Sequence, residues 1–317
     1  MTAGPVTVVV PNRNGVAFVE EAVGSALADP AVGRVVAVDD GSTDGSLRVL
    51  DALAERNPDR LRVLRQAGGG ACVARNAGLA LAEGPLVKFL DGDDALEPGA
   101  VSRQVEQMAA FAGQAVSVYG DVRWVNERGE PLPDPSPPAA SLSDLPEAVR
   151  MIEHPPLTAA PLHRAEDVRL VDGFDPRVPR GQEHDLHLRM WLAGVRFEHR
   201  PGVVYSYRQH GGGRISDADG QAAVARGRYE ALSRHVATAR KTLGEPLAPE
   251  VAAAFGRQFW RVGRRCLQTG APAAAAAPFF HAAKELAGDG AIVGGRAYRA
   301  LCRVVGPTLA ERLGRRG

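Results

Sequence analysis

VVAVDDGSTDGS, residues 35–46, joins a run of apolar residues directly to two aspartates and a cluster of turn-forming residues. The apolar run from Val35 to Val38 predicts a buried strand, so that Asp39 and Asp40 follow its carboxyl end. Two carboxylates that are 4 Å apart repel each other by about 4 kcal/mol if the effective dielectric constant is near 20. We therefore expect this strand end to contact a group that offsets the repulsion.

Strands and helices alternate in the same way over residues 1–120. Short apolar runs predict strands, and segments whose apolar residues recur every three or four positions predict helices. The predicted strands are Val6–Val10, Val35–Val38, Leu61–Leu64, Leu86–Leu90 and Val116–Tyr119, and the predicted helices are Phe18–Leu27, Ser46–Ala54, Ala71–Ala82 and Gly99–Phe111. This order predicts an α/β fold with a largely parallel sheet, in which ligands bind at the carboxyl ends of the strands.

The composition is typical of a folded soluble protein. The 317 residues are 45% hydrophobic and 24% charged, and the net charge of +1 gives no sign of nucleic-acid binding. Cys72, Cys266 and Cys302 are widely spaced, which indicates neither a zinc site nor a disulfide framework. The apolar run near the N-terminus is too short for a signal or membrane-spanning helix, so we expect a cytoplasmic protein.

Composition changes at residues 131–146, PLPDPSPPAASLSDLP, where the prolines disfavour a strand or helix interior. We interpret this segment as a loop or an internal boundary. From Gln221 onward the chain is rich in Ala, Arg and Leu with helical periodicity. The predicted organisation is a domain over residues 1–220, with halves at 1–125 and 147–220, and a helical region over 221–317.

A second acidic cluster follows the fourth predicted strand, in the sequence FLDGDDAL of residues 89–96. Asp91, Asp93 and Asp94 offer hard oxygen ligands, which Mg²⁺ or Mn²⁺ prefers when substrate phosphates complete the coordination. A single aspartate here could instead cap the helix that begins near Pro98. Three aspartates together favour a site for a divalent cation.

Four consecutive motifs resemble those of glycosyltransferase family 2, whose members have the GT-A nucleotide-sugar fold. They are VVVPNRNG (8–15), VAVDDGSTDGS (36–46), GGGACVARNAGL (68–79) and FLDGDDALEP (89–98). The resemblance continues through GFDPRVPRGQEHDLHLRMWLAG (173–194) and YRQHGGGRIS (207–216). It implies a Rossmann-like, mixed but mostly parallel sheet flanked by helices, and it leaves the helical C-terminal region outside.

The resemblance assigns the nucleotide-sugar donor to the strand ends. Asp39 would accept a hydrogen bond from the base, most often uracil in this family, and Asp40 with residues 42–44 would shape the pocket. Arg75 would lie near the base and diphosphate, although a salt bridge to a strand-end aspartate is the alternative. The other donor-binding residues that the resemblance implies are Pro11, Asn12, Arg13, Asn14, Asp91 and Gly92.

The resemblance also implies a metal site. Asp93 would bind Mg²⁺ or Mn²⁺ that bridges the diphosphate, with Asp94 in support. His210 would be a second ligand, on a loop whose glycines, Gly211 to Gly213, let it close over the donor. The alternative for a lone loop histidine is a solvent-exposed side chain.

Two positions depart from the usual pattern of the family. Arg13 stands where many relatives have an aromatic residue, so any stacking on the base would use a guanidinium plane. The common Glu-Asp pair of the acceptor segment is shifted, and Glu183 and Asp185 are the candidates for the catalytic base. They point about 200° apart on a helix, so only one can face the donor. We assign the base to Glu183, and Asp185 can alternatively be a first-turn acidic residue.

The resemblance therefore implies an inverting glycosyltransferase of the hexosyltransferase type. It would move a sugar from a nucleotide sugar, with a UDP-sugar favoured, to a hydroxyl of a glycan, lipid-linked or small-molecule acceptor. The alternatives are a sugar nucleotidyltransferase, for which PNRNG is a poor match, and a non-catalytic sugar-nucleotide-binding scaffold. The arginines and apolar residues near the C-terminus suggest peripheral contact with the inner membrane face, or self-association; the alternative is a solvated helix face.

Overall fold

Residues 4–135, 142, 144–178, 180–210 and 220–314 are described by the computed structural model. Within this part of the chain, eight strands form a single mixed sheet. The strands are β1 (Val6–Asn12), β2 (Val32–Asp39), β3 (Leu61–Arg65), β4 (Leu86–Phe89), β5 (Ala95–Leu96), β6 (Val116–Val125), β7 (Pro161–Arg164) and β8 (Arg196–Arg208).

Helices alternate with the first strands and then dominate the C-terminal part. They are α1 (Val19–Ala28), α2 (Ser46–Arg56), α3 (Ala71–Ala80), α4 (Ala100–Ala109), α5 (Glu147–Glu153), α6 (Ala165–Leu170), α7 (Gln182–Leu192), α8 (Gln221–Leu243), α9 (Pro249–Gln268), α10 (Ala273–Ala287), α11 (Arg296–Val305) and α12 (Pro307–Gly314). The predicted strands and helices of residues 1–120 are all present, with ends that differ by a few residues.

The sheet has the strand order β3-β2-β1-β4-β7-β6-β8-β5. Strands β3, β2, β1 and β4 are parallel neighbours, as are β6 and β8, whereas β7 and β5 pair antiparallel to their neighbours. The predicted mixed, mostly parallel sheet is therefore confirmed. Because β1, β2 and β4 are adjacent and parallel, the polar residues that follow them lie at one edge of the sheet.

The apolar runs of the central strands are explained by helices on both faces of the sheet. Val35 and Ala37 of β2 belong to one buried cluster, whereas Val36 and Val38 belong to another that includes Ala74 of α3. Successive strand residues point to opposite faces, so a strand that is covered twice needs an uninterrupted apolar sequence.

The core also contains a lysine that the sequence pattern did not identify. Lys88 of β4 is fully buried, and its Nζ donates to Gln104 Oε1 at 2.8 Å and more distantly to the carbonyls of Ala160 and Pro161. Burial lowers the pKa of Lys88 to about 7, although the negative charge of Asp29 opposes this shift.

The chain divides into two compact units. The first contains residues 1–139, 156–176 and 189–215, and the second contains 140–155, 177–188 and 216–317. The division differs from the predicted one, because residues 140–155 and 177–188 group with the C-terminal helices and not with an acceptor half over 147–220. Helix α7 is continuous across the boundary between Leu188 and Arg189.

The second unit has its own aromatic core. Tyr229 of α8 contacts the rings of Phe259 of α9 and Phe279 of α10, with centroids 5.8 and 5.3 Å apart. Glu153 of α5 accepts a 2.8 Å hydrogen bond from Arg257 Nε of α9.

In the described residues, no helix combines the length and the hydropathy needed to cross a membrane.

Candidate active site

The ends of β1 and β2 are joined by a hydrogen-bonded network around Asp39. Asn12 and Asp39 are register partners, and Asn12 Nδ2 lies 3.4 Å from Asp39 Oδ1. The backbone N–H of Ser42 donates to Asp39 Oδ2 at 3.1 Å. Asp39 is buried, so its carboxylate is held in place by the turn that follows the strand.

The neighbouring carboxylate, Asp40, binds a different loop. Its oxygens accept hydrogen bonds from the backbone N–H groups of Gly69 and Gly70, at 2.7 and 2.9 Å, and from the Gln66 side chain. The repulsion between the two adjacent aspartates is thus offset by amide donors of the chain itself. Asp40 therefore fixes the loop of residues 66–70 at the end of β2, and its predicted role in shaping a donor pocket stays a prediction.

The loop after β1 interlocks with the turn after β2. Asn14, which has a positive φ of 53°, accepts a 2.8 Å hydrogen bond from the backbone N–H of Thr43. Asp44 accepts hydrogen bonds from the backbone N–H of Val16 and from Ser46. Burial raises the pKa of Asp44, but these hydrogen bonds outweigh it and lower the pKa below its usual value. Asn14 therefore has a structural role in the turn.

The remaining residues of the PNRNG motif differ in exposure. Pro11 and Asn12 are buried, whereas Arg13 is exposed to solvent. Asn12 Oδ1 has no hydrogen-bonding partner among the described residues. A side chain at Gly92 would place its Cβ 3.0 Å from the Pro11 carbonyl oxygen and 3.1 Å from Asn12 Oδ1, so the two loops approach closely because Gly92 has no side chain.

Arg75 forms the salt bridge that was the alternative to direct donor binding. Its guanidinium lies 2.5 Å from Asp91 Oδ1, and it stacks 5.0 Å above the centroid of Phe174. Arg75 is buried, whereas Asp91 is 30% exposed. The pair therefore presents one partly exposed carboxylate, fixed by a buried cation, at the end of β4.

Asp93 and His210 approach each other at the same edge of the sheet. Asp93 Oδ2 lies 3.0 Å from His210 Nε2, and the imidazole packs on Phe18 with ring centroids 5.0 Å apart. His210 is not a solvent-exposed loop residue, because its side chain is only 13% exposed. The predicted pairing of a carboxylate with an imidazole is present, whereas residues 211–219, which include the predicted glycine hinge, lie outside the described residues.

Asp94 links the segment of Asp93 to the segment of His210. It is buried, and its Oδ1 accepts a 2.8 Å hydrogen bond from the backbone N–H of Arg208. Burial, and then the negative charges of Asp93 and Asp91, raise the pKa of Asp94. The cluster thus concentrates negative potential that a cation would relieve.

The sequence did not identify Arg208 as a site residue. Its buried guanidinium donates to the Asp93 carbonyl at 3.0 Å, to the Glu127 carbonyl at 3.0 Å and to Glu21 Oε2 at 2.7 Å. It also lies 5.1 Å from the centroid of the Phe18 ring, against which the His210 imidazole packs. In the sequence, the signal that could have identified Arg208 was its position two residues before His210 in the motif YRQH.

The donor set fits a divalent cation that is completed by substrate. Among the described residues, no group of three or more His, Cys, Asp or Glu side chains could hold a metal ion on its own. Asp93 and His210 supply one carboxylate oxygen and one imidazole nitrogen. Mg²⁺ and Mn²⁺ sites that use one or two protein ligands take their other ligands from substrate phosphates and water.

The two candidate bases lie in the second unit, at the start of α7. Asp185 is buried and its Oδ1 lies 2.8 Å from His235 Nε2, whereas Glu183 is partly exposed. Between them, His184 Nδ1 accepts a 3.3 Å hydrogen bond from the Gln258 side chain. The opposite orientation of Glu183 and Asp185 that helix geometry predicts is consistent with this difference in burial.

Residues 7–150 match the family model described as Glycosyl transferase family 2. The resemblance to family 2 is thus confirmed over these residues. The match includes every donor-site and metal-site residue predicted from the first four motifs; Glu183, Asp185 and His210 lie beyond it.

Two curated proteins are similar in sequence to parts of this chain. The chain is 30% identical to the chondroitin synthase of Pasteurella multocida over 208 residues. This aligned region covers 65% of this chain and 21% of that protein. It is 40% identical to an uncharacterized glycosyltransferase of Nostoc over 102 residues, and this aligned region covers 32% of each chain. The chain therefore spans about a fifth to a third of the length of these relatives.

Solved structures confirm the fold. TarS of S. aureus, residues 1–349 in complex with UDP, matches with a TM-score of 0.69 and 17% identity, over 98% of this chain and 91% of that one. A mannosyltransferase of Pyrobaculum calidifontis, in complex with GDP-Man and Mn²⁺, matches with a TM-score of 0.58 and 20% identity, over 99% and 87%. The family 2 sequence motifs are thus carried on a GT-A fold.

Proposed function

We propose that the protein is an inverting glycosyltransferase that moves a sugar from a nucleotide sugar to an acceptor hydroxyl. The observation that carries the proposal is the group of side chains at one edge of the sheet: buried Asp39, the Arg75–Asp91 salt bridge and the Asp93–His210 pair. All but His210 lie within the residues that match family 2.

The donor proposed is a UDP-sugar. An ionised carboxylate has about four acceptor positions, and the two hydrogen bonds that Asp39 accepts from described residues leave capacity for the imide N–H of uracil. A hydrogen bond to an ionised acceptor is stronger than a neutral one. Guanine also carries a ring N–H, so GDP-sugars are the comparison that the experiment must include.

The cation proposed is Mg²⁺ or Mn²⁺, held by Asp93 and His210. When bound, it supplies positive charge to the leaving diphosphate. Arg75 holds Asp91 in place, and Arg208 holds the Asp93 backbone, so that the carboxylates of this loop keep their orientation during the reaction.

Glu183 is the proposed general base. The acceptor oxygen forms a bond to the anomeric carbon, the bond from that carbon to the diphosphate oxygen breaks, and the acceptor proton passes to Glu183. Attack opposite to the leaving group inverts the anomeric configuration. Asp185 is disfavoured because it is buried and already bound to His235.

The C-terminal helices are proposed to rest on an anionic membrane surface. Val304 is 82% exposed on α11, and Leu309 and Leu313 on α12 are each 45% exposed. Arg296 and Arg299 are exposed on α11. Basic and apolar side chains together suit a surface of anionic lipid, and this supports the proposal that the protein binds peripherally at the cytoplasmic face of a membrane.

A donor panel tests the proposed activity. UDP-glucose, UDP-galactose, UDP-N-acetylglucosamine and GDP-mannose are each incubated with the full chain and Mn²⁺ or Mg²⁺, and release of nucleoside diphosphate is measured with water as acceptor. We expect one UDP-sugar to be consumed and to raise the melting temperature, because a ligand at a hundred times its Kd adds about 2.7 kcal/mol to the free energy of unfolding. If no donor binds and none is turned over, the proposal is contradicted.

A further inference from the structure

The first turn of helix α7 is anchored by helices of the C-terminal region. His235, on α8, is buried, and its Nε2 lies 2.8 Å from the buried Asp185 Oδ1. Gln258, on α9, donates to His184 Nδ1 at 3.3 Å. Two consecutive side chains that follow Glu183 are therefore fixed by residues that lie outside the part of the chain matched to family 2.

The hydrogen bond to Asp185 matters because the carboxylate is buried. A hydrogen bond to a charged, buried group is stronger than one between neutral groups, so the His235–Asp185 contact helps to fix this side of the helix within the second unit. His184 remains neutral in this environment: burial, and then the charge of His235, lower the pKa of His184 to about 3. Its ring centroid lies 6.1 Å from that of His235.

The direction of Glu183 follows from this attachment. Residues 183 and 185 point about 200° apart on a helix, so fixing Asp185 on the buried side directs Glu183 away from it. Arg228 precedes His235 by two helical turns on α8 and therefore shares its face. Arg228 is partly exposed; burial is the main cause that lowers its pKa, and the negative charge of Glu183 opposes this shift, so the same face of α8 bears on both carboxylates.

We propose that His235, through Asp185, is a positioning residue for Glu183. The inference rests on the proposed role of Glu183 as general base. His235 does not touch the reacting atoms; its hydrogen bond keeps the first turn of α7 in one conformation, so that the Glu183 carboxylate has one orientation. The C-terminal helices thereby take part in catalysis although they carry no motif of the family.

The experiment compares His235→Leu, His235→Gln, Glu183→Gln and the double variant Glu183→Gln/His235→Leu in the full chain. The turnover probe is the nucleotide sugar consumed in the donor panel, and the binding probe is UDP with Mn²⁺. We expect His235→Leu to lower kcat about tenfold to a hundredfold, the effect of misplacing a catalytic group by about 1 Å, with UDP affinity unchanged. Gln at position 235 keeps a donor at the ε position, so His235→Gln should restore most of kcat.

The double variant separates positioning from general damage. If His235 acts only through Glu183, the double variant turns over no more slowly than Glu183→Gln alone. Amide hydrogen exchange of residues 182–187 should be faster in His235→Leu and close to wild type in His235→Gln, and this measurement needs no turnover. If His235→Leu does not fold, His235→Asn, whose shorter polar side chain withdraws the donor from Asp185, provides the same comparison.

The possible failures are distinct. A Glu183→Gln variant with wild-type turnover overturns the proposed base. A slow Glu183→Gln variant combined with wild-type kcat in His235→Leu overturns the positioning role alone. A further loss of turnover in the double variant, or no rescue by His235→Gln, also overturns it, since either result assigns His235 a purely structural role.

Discussion

The Asp93 carboxylate lies 3.0 Å from the imidazole nitrogen of His210, although 117 residues separate them in the chain. The contact joins the loop after β4 to the segment after β8, and Arg208 reinforces it by binding the Asp93 backbone carbonyl. A carboxylate and an imidazole that are brought together by two different loops form a pair that a cation and a diphosphate can complete.

The first prediction concerns this pair. Asp93→Asn should abolish the increase in UDP affinity that Mn²⁺ produces, because the amide is a much weaker metal ligand than the carboxylate, while metal-free UDP affinity stays within about twofold. Calorimetric titration of UDP with and without Mn²⁺ measures both quantities. The control is Glu97→Gln, at an acidic residue near Asp93 in the sequence that binds Ser206 and Arg123. It should keep the wild-type effect of Mn²⁺. An equal metal effect in Asp93→Asn and wild type would contradict the assignment.

The second prediction concerns Arg208. Arg208→Met should lower the free energy of unfolding by about 1–3 kcal/mol, because it leaves the carbonyls of Asp93 and Glu127 without their donors. The matched control is Arg56→Met, which removes an exposed salt bridge to Glu20 and should change stability by less than about 1 kcal/mol. Urea unfolding of both variants gives the comparison, and equal losses would show that Arg208 has no special structural role.

The sequence was sufficient for the features that local patterns determine. Continuous apolar runs predicted the strands β1 to β4 because helices cover both faces of this part of the sheet. Strand β8 was missed because Arg196, Glu198 and His199 interrupt its apolar pattern, and pairing with β6 over most of its length stabilises it instead.

The site was predicted where a motif marks it and missed where distant contacts build it. Asp93 and His210 each belong to a short motif, so both could be predicted before their contact was known. Arg208 binds Glu21, which is 187 residues away, and His235 binds Asp185, which is 50 residues away. No local pattern encodes such partners, because tertiary packing alone brings them together.

The third prediction concerns Lys88 and pH. The pKa of Lys88 is about 7 in the folded chain and about 10.4 in the unfolded chain, so between these values the unfolded state binds a proton that the folded state does not. The free energy of unfolding therefore rises with pH across this window. We expect the Lys88 contribution to increase stability by about 2 kcal/mol from pH 7 to pH 9.

Lys88→Met removes the titrating group and is the reference for this measurement. Urea unfolding of the wild type and of Lys88→Met at several pH values between 7 and 9 gives the difference between the two slopes. A wild-type stability that falls relative to the variant over this range would show that the sign of the shift is wrong.

The fourth prediction concerns the exposed basic and apolar side chains of α11 and α12, which are Arg296, Arg299, Val304, Leu309 and Leu313. The full chain should sediment with vesicles of phosphatidylcholine and phosphatidylglycerol, and less with phosphatidylcholine alone or at high salt, because salt screens the attraction between arginine and lipid. Val304→Glu should reduce binding. Leu170→Glu, at a residue that is 66% exposed on α6, is the control and should bind as the wild type does.

Size-exclusion chromatography of the same variants distinguishes membrane contact from self-association. A change of oligomeric state in Val304→Glu without a change in vesicle binding would assign the surface to a second copy of the chain. Vesicle binding that does not depend on phosphatidylglycerol would contradict the role of the arginines.

The fifth prediction concerns the base. Glu183→Gln should bind UDP with wild-type affinity yet slow sugar transfer at least about a hundredfold, the lower end of general-base contributions, because an amide cannot accept the proton. Asp185→Asn should lose less activity, about tenfold or less, since Asp185 is buried against His235 and acts on Glu183 only through the helix turn that they share.

Single-turnover measurement of the two variants side by side separates these roles, because product release does not affect the first turnover. Wild-type melting temperature and UDP affinity are required of both variants, so that a loss of rate reports the chemical step. If Asp185→Asn loses the chemical step and Glu183→Gln keeps it, the proton acceptor is Asp185. The His235–Asp185 hydrogen bond would then act directly on the base instead of positioning a neighbour.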